Sequence, residues 1–340
     1  MKIALDAMGG DYAPEVTVAG AIEAVSEYDV EVVLVGDRDR ITDVLSGKKY
    51  PSGRISIHHA SEVAGMDESP VAVLRKKKDS SVRKAVELVR KGQADAAVSA
   101  GHSGVAMAMA LFLLGKVPGV DRPAIATIMP SLTGYFVLLD AGANVDCKPE
   151  NLLEFAFMGH SYYKAIFNEP APRVALLSIG EEDTKGNELT KESFKLLKAA
   201  KGLNFKGNIE GKDVFAGRAD VIVCDGFIGN IVLKTSEGLA DTIIKMLKRE
   251  IANVTTGKIG YLMIKPAIRN FKKRTDYDEY GGAPLLGING TCIISHGRSS
   301  ARALKNAIKV AAEMAKHRVH ENISNSLAAA AERNNAHDKG

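Results

Sequence analysis

Short apolar runs alternate with stretches of helical length along this chain, and run after run ends in a glycine-rich polar loop. The runs fall at 31–35, 94–99, 136–139, 174–179, 220–224 and 291–294. The helical patterns fall at 15–28, 80–91, 105–114, 191–200, 239–251 and 301–317. Strand–loop–helix alternation predicts an α/β fold, a mainly parallel sheet covered by helices on both faces. The loops then leave the carboxyl edge of the sheet, where such folds bind ligands. Each helix start adds unpaired N–H groups and a partial positive charge, so the expected guest is an anion, with phosphate the first candidate.

The loops themselves are specific. They are Asp6-Ala7-Met8-Gly9-Gly10-Asp11, Ser99-Ala100-Gly101-His102-Ser103-Gly104, Asp140-Ala141-Gly142-Ala143-Asn144-Val145-Asp146, Gly180 to Asn187, Asp225-Gly226-Phe227-Ile228-Gly229-Asn230 and Ser295-His296-Gly297-Arg298. None is a dinucleotide fingerprint or a Walker lysine loop. Ser103 either caps the following helix or offers its hydroxyl to an oxyanion. His102 is better read as a satisfied loop histidine than as a base. Asp140, Asn144 and Asp146 lack calcium-loop spacing, which favours turn capping over a metal site. Lys185, set between Gly180 and Gly186, can approach a phosphate or a developing oxyanion. Asn230 can cap a helix and bind ligand together.

Composition narrows the class. A net charge of +4 over 340 residues is too small for a general nucleic-acid binder, and 6% aromatics without Trp supply no stacking platform. The cysteines, Cys147, Cys224 and Cys292, are too far apart for metal spacing and read as thiols in a reducing cytosol. Met1 to Asp6 turns acidic too soon for a signal peptide, and no apolar run is long enough to span a bilayer. A boundary near Met129-Pro130 suggests two α/β lobes, residues 1–128 with 290–332 and residues 129–289. A polar tail, 333–340, is expected to fray.

Together with Tyr280-Gly281-Gly282-Ala283 and Lys185-Gly186-Asn187-Glu188, these loops resemble the bacterial acyl-acyl-carrier-protein–phosphate acyltransferases, in order from Met1 to about Ala301. The resemblance implies a fold similar to phosphotransacetylases and to isocitrate/isopropylmalate-dehydrogenase-like proteins. It implies a homodimer that makes acyl phosphate for phospholipid synthesis, with acyl carrier protein and inorganic phosphate as partners and no cofactor or metal. Lys185, Asn187, Asn230 and His296 become catalytic candidates. Asp6, Gly9, Gly10, Asp11, Gly101, Ser103, Asn144, Asp146 and Gly226 become substrate-binding candidates. The chain departs from the family where Ser-Ala-Gly-Asn-Thr-Gly is usual: His102 replaces the amide, and Ser103 keeps the hydroxyl.

Two surface features complete the reading. Arg75-Lys76-Lys77-Lys78 is a docking patch for an acidic carrier protein, or else an ordinary solvated turn; Ser80 and Ser81 follow as helix caps. The 251–277 region is basic and apolar together. A helical hairpin with Tyr261, Leu262, Met263 and Ile264 at its tip would touch an anionic membrane surface, or pack in a dimer interface. The resemblance favours the membrane and implies a cytoplasmic protein peripherally bound to the inner face, near a glycerol-3-phosphate acyltransferase. The rival readings are a nicotinamide-dependent oxidoreductase and a non-catalytic membrane adaptor.

Overall fold

A computed structural model of the chain describes residues 1–253, 257–275 and 281–337, with the side chains of 257–259, 262, 270, 272–275 and 333–337 outside that description. The first part of the chain forms β1 (Lys2–Asp6), α1 (Glu15–Glu27), β2 (Glu31–Gly36), α2 (Arg38–Leu45), β3 (Ile55–His59), α3 (Pro70–Lys76), α4 (Ser81–Arg90), β4 (Ala96–Ser99) and α5 (Ser103–Leu114). There follow β5 (Ala124–Ser131), β6 (Gly134–Leu139), α6 (Pro149–Phe167), β7 (Arg173–Ser178), α7 (Glu188–Ala199), β8 (Asn204–Glu210), β9 (Val221–Val223), α8 (Gly226–Asn253) and α9 (Gly257–Thr275). The chain closes with β10 (Ala283–Leu286), β11 (Cys292–Ile294), α10 (Ala301–Lys316) and α11 (Val319–His337).

All the strands join one sheet in the order β3-β2-β1-β4-β11-β10-β5-β6-β9-β7-β8. Its centre is apolar because both faces are covered. Ile3 and Leu5 face Val18, Ala21, Leu304 and Ala307 of α1 and α10, whereas Ala4 faces the layer of Val82 and Val105 in α4 and α5. That alternation is the two-residue side-chain period of a strand. Residues 105–114, almost wholly apolar in sequence, are buried on one face only: Leu111 and Phe112 are exposed.

The direction of the strands changes the meaning of the loops. β1, β2, β3, β4 and β11 are mutually parallel, but β10 is antiparallel to β11 and to β5, and β5 is antiparallel to β6. β6, β7, β8 and β9 therefore run together, against β1 and β4. The glycine loops leave the sheet as two sets at opposite edges and not at one shared carboxyl edge. Neither β5 nor β10 is among the apolar runs read from the sequence, and strand direction leaves no local mark in either. Met129 and Pro130 lie inside β5, and α11 continues to His337, past the expected start of the tail.

Candidate functional site

The first set of loops follows β1, β4 and β11. Asp6, at the end of β1, is buried, and its Oδ2 accepts the Ser99 hydroxyl at 2.7 Å. Ser99 Oγ in turn accepts the Gly101 N–H at 3.2 Å. The chain comes so close here that a Cβ on Gly9 would stand 2.5 Å from Asp6 Oδ2 and 2.8 Å from Gly101 N. Burial pushes the Asp6 carboxyl above its ordinary range, although the Ser81 and Ser99 hydroxyls beside it pull the other way. Asp6 Oδ1 is enclosed without a hydrogen bond among the described residues. Asp6 lines a small cleft, partly open to solvent, whose lining also includes Gly9, Ser81, Ser99, Gly101 and His102 on the polar side and Val63, Ala64, Val82 and Val105 on the apolar side.

His102 caps α5: its Nδ1 accepts from Gly104 N and Val105 N at 3.1 and 3.4 Å. This replaces the expected cap by Ser103, which instead lies exposed in the first turn. An asparagine oxygen would make the same kind of bond, so the imidazole substitutes for the usual amide as an acceptor. Gly10 is held at φ 110° with its α-carbon against Gly297 O and Ala100 O. Asp11 N donates to Gly297 O at 2.8 Å, and Arg298 Nε lies 3.7 Å from Asp11 Oδ2. His296 Nδ1 accepts from Arg298 N at 3.2 Å, which leaves Nε2 to carry the ring proton in the neutral form. Gly9, Gly10, Asp11, Gly101, Ser103 and His296 thus belong to one edge, around Asp6.

The second set follows β6, β9 and β7. Asp140 is its hub. Its Oδ1 accepts from Ile125, Gly142 and Ala143 N–H groups, and its Oδ2 accepts from the backbone and side-chain nitrogens of Asn144. Asn144 also donates to Pro123 O. These bonds account for the carboxylate in full, so the loop acts as scaffold. A Cβ on Gly229 would collide with Asp140 O, and one on Gly226 would stand 2.6 Å from Asn144 O. The start of α8 is thereby pressed onto the loop. Asp225, not Asn230, caps that helix, accepting from Ile228 N at 2.9 Å. Asn230 is exposed in the first turn, beside Gly142. Asp146 is exposed, its carbonyl accepting from Arg122 Nη1.

Lys185 is exposed in the β7–α7 loop. Its stem lies over Gly180, its carbonyl accepts the Ser178 hydroxyl, and its ammonium has no acid within ion-pair distance among the described residues. Asn187 caps α7, its Oδ1 accepting from Thr190 N at 2.9 Å, which commits that side chain to holding the loop. β6, β9 and β7 are neighbours in the sheet, so Asn144, Gly226, Asn230 and Lys185 share an edge. None of them lines the Asp6 cleft.

The surface features also resolve into particulars. Arg75 and Lys76 sit in the last turn of α3, where cations favour the helix dipole. Lys78 is exposed, but Lys77 is turned inward, 2.6 Å from both Glu68 Oε2 and Val63 O. Ser80 occupies the N-cap position of α4, but its hydroxyl donates to Lys77 O and makes no cap bond. Tyr261, Met263 and Ile264 lie in the body of α9, not at a hairpin tip; the Leu262 side chain lies outside the described residues. Tyr261 is half-buried, Met263 and Ile264 are exposed, and α8 packs on α9. Among the described residues no helix is long and apolar enough to cross a membrane, and no three metal-ligating side chains cluster. Cys224 and Cys292 are buried, and burial pushes the Cys292 thiol up to about 12. Sequence reasoning missed Val63, Ala64 and Glu68, which carry no motif of their own, and read Ser81 only as a helix cap.

Comparison with known proteins gives a consistent result. Residues 1–322 match the family described as fatty acid synthesis protein. A phosphate acyltransferase of Thermodesulfovibrio yellowstonii is 64% identical over 327 residues, covering 96% of this chain and 94% of that protein. One of Pelotomaculum thermopropionicum is 55% identical, covering 96% and 95%. Among solved structures, a phosphotransacetylase from Streptococcus pyogenes superposes with a TM-score of 0.65 at 20% identity, covering 93% of this chain and 94% of that one. A branched-chain phosphotransacylase from Enterococcus faecalis V583 gives a TM-score of 0.57 at 14% identity, covering 93% and 99%. At such identities the structural likeness shows the fold alone.

Proposed function

The chain belongs to the fatty acid synthesis protein family, beside the phosphate acyltransferases, and from that premise we propose that it moves a fatty acyl group from acyl carrier protein to inorganic phosphate. It is an acyltransferase of lipid synthesis, and its products on this reading are acyl phosphate and free carrier thiol, feeding phosphatidic acid. The observation that carries the reading is that both sets of loops, with every candidate side chain named above, lie within the matched span.

The chemistry asks little of a cofactor. A phosphate oxygen attacks the thioester carbonyl, the C–S bond breaks, and the phosphate proton ends on the thiol sulfur. Hydrogenphosphate is already a nucleophile, so catalysis consists of holding two reactants together and stabilising the tetrahedral oxyanion. Lys185 supplies the charge for phosphate or oxyanion, and Asn187 holds its loop by capping α7. Asn230, in the first turn of α8, adds a polar contact beside that helix's partial positive charge. On the other edge, Gly9, Gly10, Gly101, Asp11 and Ser103 line or flank a cleft that is half apolar and carries the Asp6 carboxyl. That mixed lining suits the stem of the uncharged thioester arm better than a phosphate dianion, and direct attack then requires the carbonyl at the end of that arm to reach the phosphate held beside Lys185. His296, beside this set, carries its ring proton on Nε2 and is the candidate donor to the leaving thiolate.

On this reading the lobes, 1–128 with 290–332 and 129–289, meet at β10, β5 and β6, where the strand direction turns. Arg75, Lys76 and Lys78 receive the acidic carrier protein, and the exposed apolar and basic face of α9 meets an anionic membrane. The enzyme acts as a homodimer in the cytoplasm, at the inner membrane face, where acyl phosphate is handed to a glycerol-3-phosphate acyltransferase. The test is release of free carrier thiol from acyl-acyl-carrier protein with and without phosphate. Release that requires phosphate supports the proposal; phosphate-independent release, or reduction of a nicotinamide, overturns it.

A further inference from the structure

We propose that the segment 61–69 is a lid over the Asp6 cleft and that Lys77 is the positioning residue that keeps it in place. The segment joins β3 to α3 and is fixed at its base. Ser61 N and Oγ both donate to Asp79 Oδ2, at 2.9 and 2.6 Å, and Ser81 N donates to Glu62 O at 3.0 Å. Its far side reaches across the cleft: Met66 Cε would stand 3.4 Å from a Cβ on Gly297, and Pro70 lies against Gly104 at the start of α5. Between these points Val63 and Ala64 form part of the apolar wall of the cleft.

One ammonium holds the middle. Lys77 Nζ donates to Val63 O and to Glu68 Oε2, each at 2.6 Å. The same Glu68 oxygen accepts the Gly65 N–H at 2.7 Å. A single cation therefore fixes a backbone carbonyl next to the wall and, through Glu68, the turn that follows it. The Lys77 side chain is 28% exposed, whereas Arg75, Lys76 and Lys78 point to solvent. In a run of four basic residues, one is spent on structure. The role in turnover rests on the reading of this cleft as the seat of the acyl donor: a wall that drifts outward lets the thioester arm bind loosely and admits water.

Docking and clamping assign opposite signs to Glu68. If Lys77 attracts an acidic partner, removing a neighbouring acid helps binding or leaves it unchanged. If Lys77 clamps the lid, removing Glu68 harms binding as removing Lys77 does. The experiment measures hydrogen exchange at the Gly65 amide, which needs no substrate, and the Michaelis constant for acyl-acyl-carrier protein, in Lys77→Met, Glu68→Ala and the double variant. The clamp predicts Gly65 exchange about fivefold faster in both single variants, the scale of a good partly exposed ion pair. It also predicts a Michaelis constant raised about threefold or more in both, little change in saturated turnover, and a double variant no worse than either single one. Unchanged exchange in both variants overturns the clamp. Faster exchange with an unchanged Michaelis constant overturns the lid. A constant raised by Lys77→Met but not by Glu68→Ala returns Lys77 to docking. Wild-type protein without turnover would defeat the proposed function while leaving the exchange result to decide the clamp.

Discussion

Ser99 donates its hydroxyl to Asp6 at 2.7 Å across 93 residues of sequence, tying the end of β4 to the end of β1 at the floor of the cleft. The pairing keeps a carboxyl where water is scarce, and this has a consequence for stability. Burial raises the Asp6 pKa above its ordinary 3.8 in the folded state. Below that value both states hold the proton and the site carries no penalty. As pH climbs from 3.8 towards the raised folded value, the unfolded chain releases its proton while the buried carboxyl keeps it, and stability falls. Asp6→Asn is neutral throughout and keeps an acceptor for Ser99. Its melting temperature relative to wild type should climb as pH rises above the ordinary carboxyl value of 3.8. A difference that stays flat would mean that Asp6 titrates as if in water.

His102 offers a second stability test. His102→Asn should unfold at nearly the same urea concentration as wild type, because an asparagine oxygen caps as well as Nδ1 does. His102→Ala should lose about 1 kcal/mol, the usual worth of an N-cap side chain. Equal losses in the two variants would show that the imidazole contributes by packing and not by capping.

Lys185→Ala should leave the fold intact, since the side chain is exposed, and should lower turnover on the order of 100-fold, as loss of one oxyanion-stabilising donor does. Asn187→Ala should act differently. It removes the α7 cap, costing about 1 kcal/mol of stability, and reduces turnover less than Lys185→Ala because the ammonium is still present. Near-normal turnover of folded Lys185→Ala at saturating phosphate would remove that residue from the chemistry.

With Lys77 engaged in the lid, carrier docking falls to its neighbours. Lys76→Glu combined with Lys78→Glu should raise the Michaelis constant for the carrier substrate and flatten its dependence on salt, because steering charges act on encounter. Unchanged kinetics at low ionic strength would place docking elsewhere.

Met263 and Ile264 expose apolar surface on α9, 79% and 45% respectively. If the protein is the homodimer proposed above, Met263→Glu combined with Ile264→Glu should abolish binding to anionic vesicles in a flotation assay while the dimer mass persists. Loss of the dimer, or vesicle binding that survives, would assign this face to a protein interface.

The fold class was legible in the sequence because buried parallel strands are continuous apolar runs; 31–35 and 136–139 became β2 and β6 almost unchanged. Strand direction was not. Pairing partners are set by crossovers and by the sheet as a whole, so the reversal through β10, β5 and β6 left no local mark. Site residues sort the same way. Asn187 stood out through Lys185-Gly186-Asn187-Glu188, but its role as the α7 cap is visible only in the structure, as is the single inward-turned lysine in Arg75-Lys76-Lys77-Lys78, identified once Glu68 and Val63 are in space. Asp140 was visible as part of a polar loop, but its role as hub depends on Ile125 of β5 converging on it from outside that loop.

Incubation of the purified enzyme with acyl-acyl-carrier protein and oxygen-18-labelled phosphate, followed by mass measurement of the products, tests acyl transfer to phosphate most directly. Direct attack predicts acyl phosphate that retains every labelled oxygen, formed in step with free carrier thiol. Unlabelled free fatty acid as the first product, formed at the same rate without phosphate, would contradict it.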